Sequence, residues 1–162
     1  MIITIPVHNE DNLIRTLDSL EDCDKPNNNV LVLCMINASA NDTIEIKERN
    51  VLTIEEAQSW AQAKNRNLEY HFILDNELPK KHAGVGLARK IIMDEASLVF
   101  EAQKNNQGII VCFDADSQCD PNYLVAIEEH FKANVKSPGC SIHYEHPIEG
   151  TEHSPEIYEG II

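Results

Sequence analysis

A chain of 162 residues is long enough for one domain with a substantial core. It is acidic, with 27 Asp and Glu against 13 Lys and Arg and a formal net charge of −14. A field of that sign disfavours nucleic acid and anionic membrane surfaces, and repels an anionic small substrate unless a cation mediates.

The opening run Met1-Ile2-Ile3-Thr4-Ile5-Pro6 lacks the basic region and apolar length of a signal peptide, and no stretch is long enough to span a bilayer. Five cysteines, Cys23, Cys34, Cys112, Cys119 and Cys140, are scattered and odd in number. With no Cys-x-x-Cys pair, neither a disulfide framework nor a zinc ribbon is indicated, and a reducing, cytoplasmic setting is the expectation.

In chain order, Met1 to Ile5 predicts a short apolar strand. His8 to Asn12 predicts a turn and helix start with side-chain oxygens available for capping. Leu13, Ile14, Leu17 and Leu20 recur at helical spacing. Pro26 and Asn27-Asn28-Asn29 end that helix, and Val30 to Ile36 reads as a second buried strand. This β-α-β unit predicts a parallel pair. Asn37 to Thr43 follows as a polar turn, and Ile44 to Val51 as a loop or short helix.

Thr53 and Glu56 have capping-box spacing, and Ile54, Ala57 and Ala61 give a helical stripe beside Trp60. Tyr70 to Leu74 predicts a third strand, and Glu77 to Gly84 a comparatively basic loop. Val85, Ala88, Ile91, Ile92 and Ala96 mark a long helix. Ile109 to Phe113 reads as a fourth strand buried on both faces, which would also bury Cys112, as Cys34 is buried in the second. Asp120 and Pro121 resemble an N-cap and first helical position ahead of Leu124, Ile127 and Phe131. Cys140 to Tyr144 suggests a fifth strand, and Ser154-Pro155-Glu156 a helix start. The predicted class is α/β, with an open, mainly parallel sheet and helices on both faces.

The chemistry gathers at strand ends. Asp114 and Asp116 follow the fourth strand two positions apart, so strand parity lets both project to one side. Two carboxylates at the carboxyl end of a parallel strand suit a hard divalent cation, although two acids after a strand also make an ordinary capping turn. The other strand ends, Pro6 to Glu10, Asn37 to Thr43 and Asp75-Asn76, are polar as well. In an open parallel sheet they converge on one crevice, with Lys80, Lys81 and Arg89 nearby to meet phosphate. Cys140 with His143, His146 and His153 matches no zinc spacing and reads as a loose tail. Trp60 reads as a packing residue.

These stretches resemble family 2 glycosyltransferases, nucleotide-sugar enzymes of the GT-A (Rossmann-like) fold. Ile3 to Glu10, with Leu13, Thr16, Leu17, Ser19 and Leu20 behind it, is similar to the family's opening. Asn37-Ala38-Ser39-Ala40-Asn41-Asp42-Thr43 resembles its Asp-Gly-Ser-x-Asp-x-Thr turn. Gly84-Val85-Gly86-Leu87-Ala88-Arg89-Lys90 resembles its Gly-x-x-x-Ala-Arg-Asn helix start. Phe113 to Ser117, with Asp120 to Leu124, resembles its Asp-x-Asp motif and following helix. Four motifs in the family's order cover the chain to about Phe131.

The resemblance implies that Pro6, Val7, Glu10, Asn37, Arg89, Asp114, Ala115 and Asp116 bind the nucleotide sugar. Glu10 would lie near the ribose, Asn37 at the base and Arg89 at base or phosphates. Asp114 would contact ribose or sugar, and Asp116, with Asp114, would hold Mg²⁺ or Mn²⁺. Implied partners are a UDP- or GDP-sugar donor and a saccharide or lipid-linked acceptor, with work in the cytoplasm or peripherally at the inner membrane face.

Asn37 and Asn41 stand where the family usually has acids, and Lys90 where it has Asn, which leaves the choice of nucleotide open. The family's general base lies well beyond the Asp-x-Asp motif. Glu145, Glu149, Glu152, Glu156 and Glu159 run in that direction without matching it, so no catalytic base is assigned. The expectation is one nucleotide-sugar-binding domain over 1–162 with an incomplete acceptor side, binding its donor but transferring poorly. A nucleotide-binding module without turnover is one alternative. A nucleotidyltransferase is another, but it should carry a Gly-rich basic loop after the first strand, which Val7 to Glu10 does not supply. A phosphatase would place its Asp-x-Asp on the first strand.

Overall fold

The computed structural model describes residues 1–63, 66–81 and 84–145. Strands and helices alternate along it as β1 (Ile2–Val7), α1 (Leu13–Glu21), β2 (Leu31–Ser39), α2 (Ile44–Gln62), β3 (Glu69–Leu78), α3 (Val85–Ala102), β4 (Ile110–Cys112) and α4 (Tyr123–Ala133). The strands form one sheet in the order β3-β2-β1-β4, and every pairing is parallel. The chain steps outward from β1 to β3 and then returns to lay β4 on the other side of β1. That reversal puts a topological switch point between β1 and β4, where open α/β sheets form a crevice at the carboxyl ends.

The central strands β1 and β2 are buried almost throughout, which is why both read as continuous apolar runs. Alternate residues serve opposite faces. Ile3, Ile5, Val7, Val32, Cys34 and Ile36 pack with Leu17 and Leu20 of α1, Ala57 of α2, and Leu124 and Ile127 of α4. Ile2, Leu33 and Met35 pack instead against Ala88, Ile92, Ala96 and Phe100 of α3. Each such fully buried aliphatic side chain contributes about 1.5–3 kcal/mol. The result is an α/β, GT-A/Rossmann-like fold with helices on both faces of the sheet.

Four local expectations are corrected. Residues 44–51 are neither a loop nor a separate short helix but the first half of a 19-residue α2. Thr53 therefore lies inside a helix and caps nothing; its Oγ1 donates to the Arg49 carbonyl at 3.0 Å and the Glu10 carbonyl at 3.1 Å. The buried positions of α2 are Asn50, Thr53 and Ala57, while Ile44 and Leu52 face solvent, so the apolar pattern did not mark the buried face.

β4 is shorter than predicted and is a sheet edge. Val111 and Phe113 are buried but Cys112 is exposed; among the described residues only β1 flanks this strand. Cys34 is fully buried, as expected, and burial pushes its thiol above the ordinary cysteine range. α4 starts at Tyr123 with Asn122 as N-cap, and Asp120-Pro121 form the turn before it. The expected fifth strand at Cys140–Tyr144 is not in the sheet; Ile142 and Tyr144 stay exposed, so the alternation there buries nothing. His146, His153, Glu149, Glu152, Glu156, Glu159 and the helix start at Ser154 lie outside the described residues.

Candidate functional site

The parallel sheet brings the four predicted strand ends to one edge. Register pairs Val7 with Ile36 and Asn37 with Asp75, and Thr4 pairs with Cys112 on the other side of β1. The Phe113 N–H still reaches the Thr4 carbonyl at 3.0 Å, after which the chain leaves the strand path. A turn closes from the Ser117 N–H to the Asp114 carbonyl at 3.2 Å. Strand parity therefore ends at Asp114, and Asp116 is presented by the turn instead. Both acids are exposed. The turn is held from below by the Thr16 hydroxyl of α1, which donates to the Ala115 carbonyl at 2.6 Å.

Asp114 meets α3. Gly84 precedes that helix with φ of 140°, a left-handed conformation that a side chain would strain. Ala88 is buried against the sheet, which fixes the rotation of α3. Its neighbour Arg89 then points along the carboxyl edge, and its Nη2 donates to Asp114 Oδ1 at 2.5 Å. Two predicted site residues from distant stretches are thus in direct contact. The groups are about one-third and three-fifths exposed, so water screens the pair and it adds little stability.

The β1–β2–β3 side of the edge is closed by amides. Asn37 is buried, and its Nδ2 donates to the Val7 carbonyl at 2.8 Å and the Met35 carbonyl at 3.3 Å. Both donor hydrogens are committed, so its remaining offer to a ligand is the acceptor oxygen Oδ1. Asn50, fully buried on α2, ties three strand ends together. Its Oδ1 accepts the Asn9 N–H at 3.1 Å, and its Nδ2 reaches the Asn37 carbonyl and Asn76 Oδ1, each at 2.9 Å. Sequence reasoning passed over Asn50; the only signal was a polar residue at helical spacing from Thr53 and Ala57.

His8 Nδ1 lies 2.9 Å from the Asn37 carbonyl. Glu10 Oε1 accepts the Asn12 N–H at 2.9 Å at the entrance to α1, where Asn12 is the N-cap position but makes no side-chain capping bond. Pro6 and Val7 are buried and form a wall beneath the edge. Lys80 and Lys81 are exposed after β3. Trp60 is a packing residue, edge-on to Tyr70 and beneath the Arg66 guanidinium, with its Nε1 donating to Asp18. A groove of about 560 Å³ lies behind the acid turn between α1 and Cys119, but neither Asp114 nor Asp116 lines it. No helix among the described residues is long and apolar enough to cross a membrane.

No protein-family model matches the sequence, and no curated protein does. Two solved structures match the fold. S. aureus TarS 1-349 in complex with UDP-GlcNAc aligns with a TM-score of 0.54 and 15% identity, over 88% of this chain and 36% of that chain. S. aureus TarS 1-349 aligns with a TM-score of 0.50 and 13% identity, over 87% of this chain and 38% of that chain. This chain thus spans little more than a third of the chains it matches. At such identity the likeness concerns the fold alone.

Proposed function

We propose that this chain is the donor-binding domain of a metal-dependent glycosyltransferase. It binds a nucleoside diphosphate sugar at the carboxyl edge and supports inverting transfer of the sugar to an acceptor hydroxyl on a saccharide or lipid-linked carrier. The observation that carries the reading is the acid turn at the β1–β4 switch point, with Asp114 already facing Arg89 of α3. The UDP-GlcNAc held by the fold match TarS supports a nucleotide sugar as the ligand class.

The donor set fits Mg²⁺ or Mn²⁺ in one specific way. Among the described residues no cluster of three or more His, Cys, Asp or Glu could cage a metal. Mg²⁺-type ions, however, are commonly held by one or two carboxylates together with substrate phosphates. Asp116, with Asp114 beside it, would supply the carboxylates and the diphosphate the rest. A cation there would neutralise charge building on the departing nucleoside diphosphate.

Arg89 would exchange part of its pairing with Asp114 for diphosphate oxygens, keeping the anion countered in a chain of net charge −14. Asn37 Oδ1 would accept an N–H from the base, Glu10 would approach the ribose, and Pro6, Val7 and Ala115 would form the walls. Calorimetric titration of the full chain with UDP and GDP, with and without Mn²⁺, tests this. Metal-dependent binding of one nucleotide, weakened about tenfold or more in Asp116→Asn, is expected. Absence of binding to either with Mn²⁺ present would overturn it.

A further inference from the structure

Away from the carboxyl edge, two thiols face each other across 96 residues of sequence. Cys23, just past the end of α1, and Cys119, in the loop between the acid turn and α4, hold their sulfurs 3.6 Å apart. Both lie against the same acceptor, the Ser19 carbonyl, at 3.4 and 3.6 Å. The two backbones are already joined next door, where the Asp24 N–H donates to the Pro121 carbonyl at 2.7 Å. A disulfide needs sulfurs at about 2.05 Å, so the gap to close is roughly 1.5 Å.

Both thiols are partly exposed, within reach of a small reagent. Cys34 is buried, and Cys112 and Cys140 are exposed, with Cys112 beside the thioether of Met93 and the hydroxyl of Thr4. We infer that Cys23 and Cys119 are a redox-modification site, oxidised to an intramolecular disulfide by a low-molecular-weight disulfide and reopened by excess thiol.

The step balances by two exchanges. The Cys23 thiolate attacks one sulfur of the small disulfide, forming a mixed disulfide and releasing one small thiolate. Cys119 gives up its proton to solvent and attacks Cys23 Sγ, displacing the second small thiolate, which takes up a proton. Two protein thiols are oxidised and one small disulfide is reduced to two thiols. The asymmetry between the sulfurs suits this order. The Cys119 S–H lowers the Cys23 pKa by hydrogen bonding, whereas that same interaction and burial raise Cys119. The new bond would fasten to α1 the loop that carries Asp114 and Asp116, beside the existing Thr16–Ala115 contact. The inference does not depend on the nucleotide reading.

The test takes the full reduced chain through glutathione buffers of increasing oxidised fraction. Samples are quenched in acid, alkylated and mapped by non-reducing peptide mass spectrometry. The expected first product is a Cys23–Cys119 linked peptide lacking two hydrogens, reversed by added thiol. In Cys119→Ser, Cys23 should accumulate as the glutathione adduct at least about tenfold faster than Cys140, because the resolving thiol is gone. Recovery of both Cys23 and Cys119 as alkylated free thiols while Cys112 or Cys140 is modified would overturn the inference. So would separate adducts on the two thiols of the unaltered chain.

Discussion

Replacing Glu128 by Gln should destabilise the protein at neutral pH and progressively less as pH falls. Glu128 lies on α4, only 2% exposed, and its carboxylate anchors the loop between α1 and β2. Oε2 accepts the Asn27 N–H at 3.2 Å, Asn27 Nδ2 at 2.9 Å and Lys132 Nζ at 2.8 Å. Oε1 accepts the Asn28 N–H at 2.8 Å, and Asn28 Nδ2 as well. The Lys132 ammonium and the Asn27 donors, ahead of those from Asn28, hold its pKa down from 4.5 to about 2. At ~1.4 kcal/mol per pH unit, that gap caps the charge contribution at roughly 3.5 kcal/mol. Lys132 is half-exposed, so screening reduces this to about 2 kcal/mol.

Gln keeps the shape but turns an NH₂ toward two donors, leaving at least one buried N–H unpaired at a cost of about 1–3 kcal/mol. The expected total at pH 7 is ~3–5 kcal/mol, or roughly 6–20 °C in Tm for a chain of this size. The folded-state pKa is depressed, so the charge contribution is complete above about pH 4.5 and is lost as pH falls toward about 2. Urea unfolding of both proteins at pH 7, 4.5, 3 and 2 measures the gap. A difference below about 0.5 kcal/mol at pH 7, or one that stays constant down to pH 2, refutes the reasoning.

Asn50→Ala should cost ~2–4 kcal/mol by denaturant unfolding, since it leaves the Asn9 N–H and Asn76 Oδ1 without their amide partner; a cost under about 0.5 kcal/mol would sink its role as the tie between strand ends. Asn37→Asp should destabilise by about 2–4 kcal/mol at pH 7, because a carboxylate would face the Val7 and Met35 carbonyls; burial favours its protonated form, so the loss should shrink as pH approaches 4, and a pH-independent loss would count against this. Asp116→Asn, at an exposed position, should leave stability within about 0.5 kcal/mol while weakening Mn²⁺-dependent nucleoside diphosphate binding about tenfold or more in calorimetry; unchanged affinity removes Asp116 from the metal site. Gly108→Ala should cost ~1–3 kcal/mol in Tm-derived stability, because a Cβ there would sit 2.5 Å from the Phe100 ring; a Phe100→Leu background should relieve much of the loss, and strictly additive losses would argue against the clash.

The fold class was legible because β1 and β2 are central strands of a parallel sheet, and burial on both faces writes itself as an unbroken apolar run. Periodicity failed where burial and apolarity part company. In α2 the buried stripe is Asn50-Thr53-Ala57, whereas Ile44 and Leu52 are exposed, so the helix looked like a loop followed by a new start. At β4 an apolar run of five residues promised a two-faced strand, but with β1 as its one neighbour among the described residues the strand pairs over only three residues. Arg89 and Asp114 could be nominated separately from local motifs. That they touch depends on α3 packing against the sheet through Ala88, which no local pattern encodes.

An amide at the second strand end has a physical reason in this arrangement. Asn37 and Asn50 sit in a buried network whose partners include backbone carbonyls, and a neutral amide meets those carbonyls without burying a charge. The network closes the β1–β2–β3 side of the edge with donors already spent. Groups still open to a ligand then concentrate on the β1–β4 seam, where Arg89, Asp114 and Asp116 are all at least partly exposed. In a chain of net charge −14 that seam sets one cation against two carboxylates. An anionic ligand arriving there gains from Arg89 but is repelled by the acids unless a metal ion comes with it. On the proposed reading, a diphosphate–metal pair would relieve both imbalances at once, which predicts tighter binding of the pair than of either partner alone.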